Sequence, residues 1–402
     1  MDAELKDLER TFGVELEGII DCVDNSGYTN TREYCDHDCL VGCDGYCTCD
    51  ELRDELCVCG NDDDIECEFC ENGTECSYCR DCCDCPFCQG ECDCQVCIGE
   101  CEYCLDNQND GESSRDDLAS YISRMANVDC RAEGWNTDSK HYWKVISDAS
   151  INPDSGIDIE VVSPSEPENL LSGANGLKDV YNVVEAMREY GVTINSSAGL
   201  HVHHCTGRSK GADLELKPFA FANLIKLYAF YEGILDSLQP RSRRGRNPSY
   251  LASVKSHYGN LETAKELALQ VDRILENYPE SSISETVTNL AKLCGRDRYC
   301  KINIMSFFKH GTVEFRHHAG TTDPDKVTAW IELTQNILSY CNRRQTRITE
   351  HHVPCFAKLM QLIKARPELI SFYKDRREHF KNQYETLTAF CTNHKRGYNE
   401  EL

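Results

Sequence analysis

The chain has 402 residues, 68 Asp and Glu against 42 Lys and Arg, 28 cysteines and a formal charge of -26. That length, with 40% hydrophobic residues, can bury a core in each of two or three domains and excludes a disulfide-held miniprotein. Residues 33–106 carry 22 Asp and Glu against Arg53 and Arg80 alone, so the charge belongs to one segment and excludes nonspecific nucleic-acid binding there.

In chain order, "MDAELKDLERTFGVELEG" is charged and has no apolar signal region. No run approaches the roughly 18 apolar residues of a membrane span, so a cytoplasmic protein with no membrane and no nucleic-acid partner is expected. Residues 10–20 read as a strand with Phe12, Val14 and Leu16 on one parity and Glu15 and Glu17 on the other. From about 29 to 115 Cys, Asp, Glu and Gly dominate and no helical period survives, which marks an insertion. Order returns with "RDDLASYISRMAN" as a helix and "HYWKVISDASI" and "GIDIEVVSP" as strands joined by "NPDSG". "GLKDVYNVVEAMREYG" is an amphipathic helix closed by Gly191.

"GLHVHHC" then reads as a strand, "LKPFAFANLIKLYAFYEGILDSL" as a buried helix opened near Pro218, and "RSRRGRN" as a basic loop. Two helices are expected between about Leu261 and Leu293, followed by "YCKINIMSF" and "GTVEFRHH" as a hairpin through "KHG". "DPDKVTAWIELTQNILSYC" is a long helix begun by Asp323 and Pro324. The expected organisation is a first core strand in 1–28, an acidic Cys-rich insertion in 29–115, the remaining core in 116–350 and a helical segment in 351–402. Strands arriving as pairs between helices predict an α+β fold with a largely antiparallel sheet.

Polar residues interrupt the apolar parity of these strands at Glu15 and Glu17, Glu160, His201 and His203, and Glu314 and Arg316. If the strands share one sheet, these side chains line one face of it. Converging carboxylates repel one another unless a cation sits among them, and a carboxylate-rich set favours Mg²⁺ or Mn²⁺ over zinc. Arg316, two residues beyond Glu314, would place a planar cation beside the metal, suited to a substrate carboxylate or phosphate. These are the parts a phosphoryl-transfer site needs. Taken singly, Glu-x-Glu on a strand is ordinarily solvated and His-x-His ordinarily structural.

Between Cys35 and Cys104 lie 20 of the 28 cysteines. C-x-x-C spacing recurs through Cys67, Cys70, Cys76, Cys79, Cys82, Cys85, Cys88, Cys94, Cys97, Cys101 and Cys104. Two such pairs chelate one tetrahedral Zn²⁺, so 20 thiolates allow up to about five zinc sites, with a disulfide-stapled domain as the rival. The acidic module would recruit a basic protein partner or cover the active site.

The ordered motifs "FGVELEG", "WKVISDASI", "GIDIEVVSP", "AGLHVHHC", "RYCKINI" and "TVEFRHHAGTTDPDKVTAWIEL" resemble the amidoligase family, which is more distantly similar to glutamine synthetase and gamma-glutamylcysteine synthetase. The resemblance covers residues 10–20 and about 140–340. It implies a glutamine-synthetase-type antiparallel sheet curved over a funnel, ATP, and two or three Mg²⁺ or Mn²⁺ ions. The implied activity is that of an ATP-dependent carboxylate-amine ligase: ATP phosphorylates a carboxylate and an amine displaces the phosphate. The acid and amine would be amino acids, peptides or proteins.

Carried over by position, Glu15, Glu17, Glu160, His201 and Glu314 match metal ligands, and His203 matches a contact to ATP phosphate. Arg316 would hold the substrate carboxylate or acyl phosphate, and Arg241, Arg243, Arg244 and Arg246 would neutralise nucleotide phosphates. Asp148 and Asn303 are candidates for holding the amine or substrate, although Asp148 would equally cap a turn. No Walker-type loop is present, and His317 and His318 receive no role. Two rival functions remain at this stage: a nonenzymatic zinc-binding scaffold on a ligase-like core, and a metal-dependent hydrolase that needs no ATP.

Overall fold

A computed structural model of the chain describes residues 10–20, 102–134, 140–153, 156–166, 168–207, 215–244, 251–254, 264–277, 282–294, 299–343 and 354–393, without the side chains of 102–113, 294 and 382–393. Apart from the first turns of one helix, these residues belong to a single compact unit, Met1–Thr31 with Arg115–Leu402.

The described elements are β1 (Phe12–Ile20), α1 (Glu102–Ala126), β2 (Cys130–Ala132), β3 (Trp143–Ile146), β4 (Ile157–Val162), α2 (Gly173–Tyr190) and β5 (Gly199–Cys205). After them come α3 (Pro218–Asp236), a 3-10 turn at Arg241–Arg243, α4 (Ala264–Asn277), α5 (Ile283–Cys294), β6 (Ile302–Asn303) and α6 (Ser306–His310). β7 (Thr312–Ala319), α7 (Pro324–Cys341), α8 (Phe356–Leu362) and α9 (Pro367–Asn393) complete the series. Gly191 stops α2 at φ 98°, a left-handed conformation that glycine adopts without steric penalty. Asp323 caps α7 by accepting hydrogen bonds from the backbone of Asp325 and Lys326, and Pro324 supplies a pre-set first turn.

The seven strands form one open sheet in the order β2-β3-β4-β1-β5-β7-β6. Only the β2/β3 pair is parallel. β1 comes first in the chain yet lies in the middle of the sheet, between β4 and β5. Its apolar parity, Phe12, Val14 and Leu16, joins Ile159, Val161, Leu200, Val202 and Phe315 in one core with Val180 of α2, Tyr228 of α3 and Trp330 of α7. Each such burial contributes about 1.5–3 kcal/mol. A one-residue slip of β1 would therefore exchange three large apolar groups for Glu15 and Glu17 in the core, and the register is held by that cost.

The expected hairpin is interrupted. β6 has only two residues, and "SFFKH" forms α6 before β7 begins, with Gly311 closing the helix in the left-handed region. β2 was not anticipated, because three residues carry no measurable period. Among the described residues no helix is long and apolar enough to cross a membrane.

Candidate functional site

The polar parity of the four central strands converges. Cross-strand register sets Glu15 opposite His201, Glu17 opposite Glu160 and His203 opposite Glu314. His201 Nδ1 lies 2.9 Å from Glu15 Oε2 and its Nε2 3.4 Å from Glu17 Oε1. His203 Nε2 lies 3.2 Å from Glu15 Oε1 and 3.9 Å from Glu314 Oε1. Arg316 Nη1 donates to Glu314 Oε1 at 2.5 Å.

Three overlapping groups have their donor atoms within 4.8 Å of one another: Glu15, His203 and Glu314; Glu15, Glu160 and His201; Glu17, Asp148 and Glu160. The donors are carboxylate oxygens and imidazole nitrogens, a set suited to a hard divalent cation. The electrostatics point the same way. Burial raises the Glu15 carboxyl, but the charge of His203 and the hydrogen bond and charge of His201 outweigh it and hold it well below the ordinary range. Glu160 is pushed well above, first by burial and then by repulsion from Glu15, Glu17 and Asp148. Burial lowers the His203 imidazolium, yet Glu15 and Glu314 reverse the effect and raise it.

His203 carries a further signature. Its Nε2 is buried and makes no hydrogen bond, although two carboxylate oxygens lie within ion-pair range. The 3.2 Å approach is thus close in distance but misdirected for an N–H donor. On the other side of the ring, Nδ1 lies 3.0 Å from Thr312 Oγ1.

Asp148 follows β3 in a loop held by Asp158, whose Oδ2 accepts from Ser147 Oγ at 2.6 Å and from the Asp148 backbone at 2.7 Å. Asp148 Oδ1 also accepts from the Ser150 backbone at 2.8 Å, so the turn-capping role and a place beside Glu17 and Glu160 coexist. Asn303 Nδ2 donates to Glu314 Oε2 at 2.7 Å, and its Oδ1 accepts from the backbone of Met305 and Ser306. Its side chain holds Glu314 and the start of α6. Asp158 and Thr312 were missed from the sequence, although each shares the parity of a chosen neighbour, Glu160 and Glu314.

The basic loop divides. Arg241 is exposed; Arg244 is half-buried, donates to Gln239 O at 2.6 Å and lies over the Phe380 ring. Arg243 is buried, and its guanidinium donates to the carbonyls of Ala198 and Ser197. Arg246 lies outside the described residues, as do Cys67, Cys70, Cys76, Cys79, Cys82, Cys85, Cys88, Cys94, Cys97 and Cys101; the side chain of Cys104 does too. Gly199 makes room for His201 and Glu17: a Cβ there would lie 3.1 Å from His201 Nε2 and 3.3 Å from Glu17 Oε2, with Arg243 Nη1 at an ordinary contact distance of 3.5 Å. The Gly199 N–H donates to Glu17 Oε2 at 2.6 Å. A cleft opens here, lined by Glu17, His201, Arg243, Arg316, Leu251 and several serines.

Behind the sheet, a bulge between Leu200 and Val202 lets both His317 and His318 pack toward Trp330. His317 Nε2 lies 2.8 Å from Asp236 Oδ1 and 3.1 Å from Arg243 O. Lys301, fully buried, places Nζ 2.6 Å from the same Asp236 oxygen and 3.3 Å from Glu232 Oε1.

The family described as "Putative amidoligase enzyme" matches residues 104–338, more than half of the chain, and the chain belongs to that family. The match begins after β1, so Glu15 and Glu17 lie outside it while the sheet places them between two matched strands, β4 and β5. No curated protein and no solved structure matches the chain.

Proposed function

From membership of the amidoligase family, we propose that this chain is an ATP-dependent carboxylate-amine ligase whose sheet face holds two or three Mg²⁺ or Mn²⁺ ions. The observation that carries the reading is the buried, unbonded Nε2 of His203 between Glu15 and Glu314. If Nδ1 donates its proton to Thr312 Oγ1, Nε2 presents a lone pair, which is how a metal-binding imidazole is oriented by an outer partner. His203 is then a ligand with Glu15 and Glu314, and not a phosphate contact. Glu15, Glu160 and His201 would hold a second ion, and Glu17, Asp148 and Glu160 a third. Bound cations would neutralise phosphate charge during transfer.

In the proposed reaction, an oxygen of the substrate carboxylate attacks the terminal phosphorus of ATP and ADP leaves. The amine nitrogen then attacks the acyl carbon, the C–O bond to phosphate breaks, and the nitrogen loses a proton. Arg316 binds the carboxylate and steadies the charge that develops on it, because its guanidinium is already fixed by Glu314. Asn303 orients Glu314, and Arg241, exposed at the same turn, is the candidate for the nucleotide phosphates.

Calorimetric titration of the purified full chain with the ATP analogue AMP-PNP tests this. Binding should require Mg²⁺ or Mn²⁺ and should weaken in Glu15→Ala or Glu314→Ala by more than the about 10–100-fold that loss of an outer partner costs. Absence of analogue binding by folded protein would move the reading to the hydrolase or the scaffold. We also propose Zn²⁺ in residues 67–104 from the C-x-x-C spacing alone, to be checked by elemental analysis of the same preparation.

A further inference from the structure

Among the residues of the three donor groups, Asp148 alone lies outside a strand, since β3 ends at Ile146. Ladder register fixes the others. Asp148 is fixed by Asp158, whose Oδ2 accepts from Ser147 Oγ at 2.6 Å and from the Asp148 N–H at 2.7 Å. A ligand has to be held within about 0.5 Å of its working position, so whatever holds Asp158 bears on the cation as well.

Arg115 supplies that hold. Its Nε and Nη2 donate to the Asp158 carbonyl at 3.3 and 3.1 Å, and Nη2 lies 3.7 Å from Asp158 Oδ1. One planar guanidinium thus meets the backbone and one carboxylate oxygen together, and the other oxygen serves the Asp148 loop. The helix aims it there: Leu118, Ala119, Ile122 and Ala126 of α1 are buried and follow Arg115 at helical spacing, so all five share one face. Further along α1, Ser123 Oγ accepts from the Cys130 N–H and donates to the Cys130 carbonyl, both at 2.9 Å, which ties the helix to β2. Arg115 is also the residue at which the chain re-enters the compact unit. The side chains of Arg115 and Asp158 are 20% and 22% exposed, so their ion pair contributes at most about 1 kcal/mol and the fold should survive its loss.

We propose that Arg115 is a positioning residue for a divalent cation held by Glu17, Asp148 and Glu160, acting through Asp158 on Asp148. Without the guanidinium, the Asp158 carboxylate turns toward water and releases the Ser147 hydroxyl and the Asp148 N–H. Asp148 then loses its place, while Glu17 and Glu160 keep theirs because they face each other in the β1/β4 ladder. The effect is selective, since the group of Glu15, His203 and Glu314 shares no residue with this path. The inference rests on the cation part of the ligase reading and is tested apart from ATP.

Mn²⁺ binding to the full chain, followed calorimetrically, is compared in wild type, Arg115→Met, Arg115→Lys, Asp148→Asn and the double variant Arg115→Met/Asp148→Asn. Asp148→Asn identifies the ion of this group as the one it weakens. Arg115→Met should weaken that same ion about tenfold, at the low end of an outer partner's contribution, and leave the remaining Mn²⁺ binding unchanged. Arg115→Lys keeps the charge and a donor and should recover part of the loss. The double variant should bind Mn²⁺ no more weakly than Asp148→Asn alone, because residues acting in series are not additive. A merely structural Arg115 would weaken every ion alike and add its loss to that of Asp148→Asn, which overturns the proposal, as does wild-type Mn²⁺ binding in Arg115→Met. Failure of folded wild type to bind Mn²⁺ overturns this proposal and the ligase reading together. The expected pattern in a protein that binds no AMP-PNP upholds the role of Arg115 and overturns the ligase reading alone.

Discussion

The two faces of the sheet each carry a cluster of ionisable groups, and the clusters are built on opposite plans. Behind β6 and β7, Asp236 and Glu232 surround Lys301, with His317 and Ser253 completing the hydrogen bonds. On the open face, Glu15, Glu17, Asp148, Glu160 and Glu314 converge on two histidines and Arg316. The rear cluster supplies its own cation; the front cluster has more negative groups than its arginine can match. Such an excess is stable only with protonated carboxyls or a bound cation. The rear charges are matched within the fold, and the front charges are the ones we propose to be completed by a bound cation.

Removing Lys301 should give the largest effect on stability. Lys301→Met would leave Asp236 and Glu232 buried without their cation, at a cost of about 3–5 kcal/mol, read from the denaturant midpoint of full-length protein. Glu160→Gln on the front face removes one of the repelling carboxylates and should leave the metal-free stability unchanged or higher. Equal destabilisation by both substitutions would erase the distinction between the faces.

The front cluster was legible because strand parity is a direct geometric rule. Glu15, Glu17, Glu160, His201, His203, Glu314 and Arg316 each sit opposite an apolar neighbour, and side chains alternate faces along a strand. What parity cannot convey is who meets whom. His203 joins Glu15 and Glu314 only because β1 and β7 flank β5, and that order is a tertiary property. Asp148 lies in a loop, where no period applies, and reaches Glu17 because Asp158 ties the loop down. "RSRRGRN" suggested a solvated or phosphate-facing loop, yet Arg243 is buried on backbone carbonyls and Arg244 packs on Phe380. Local charge density does not reveal which arginine the fold will cover. "SFFKH" became a helix although its aromatics favour strand, another case of tertiary context prevailing over propensity.

Acid should expose the rear cluster next. Burial pushes the Asp236 carboxyl up, but the hydrogen bond and charge of His317, with those of Lys301, prevail and bring it to about 2 from 3.8. A carboxyl depressed in the folded state contributes stability that is present above its unfolded value and lost as pH falls through the folded one. The loss should therefore run between about pH 4 and pH 2 and amount to about 2 kcal/mol. His317 is lowered chiefly by burial, so protonating it is a further cost that begins below its ordinary value of 6.5. Unfolding midpoints followed against pH in wild type and Asp236→Asn give the test. The difference between the two proteins should shrink across that acid window, and a constant difference would show that Asp236 is not held ionised by its partners.

The smallest predicted effect is the most selective for the front face. Thr312 touches no proposed substrate; its hydroxyl lies 3.0 Å from His203 Nδ1 and 2.7 Å from Ser306 Oγ. If that hydroxyl fixes the proton on Nδ1, Thr312→Val leaves Nδ1 the longer 3.3 Å contact with Ser306 Oγ, a hydroxyl that can donate as well as accept, so Nε2 no longer offers a settled lone pair. Mn²⁺ affinity, followed by paramagnetic relaxation of water protons, should fall about tenfold, at the low end of what an outer partner contributes. Val is close in shape to Thr, and the metal-free stability read from the denaturant midpoint should fall by about 1–3 kcal/mol at most, the value of the two hydrogen bonds lost. A purely structural Thr312 would lose that stability with Mn²⁺ affinity kept. In that outcome the unbonded Nε2 of His203 would no longer argue for a metal ligand, and the case for the front face would return to its carboxylates.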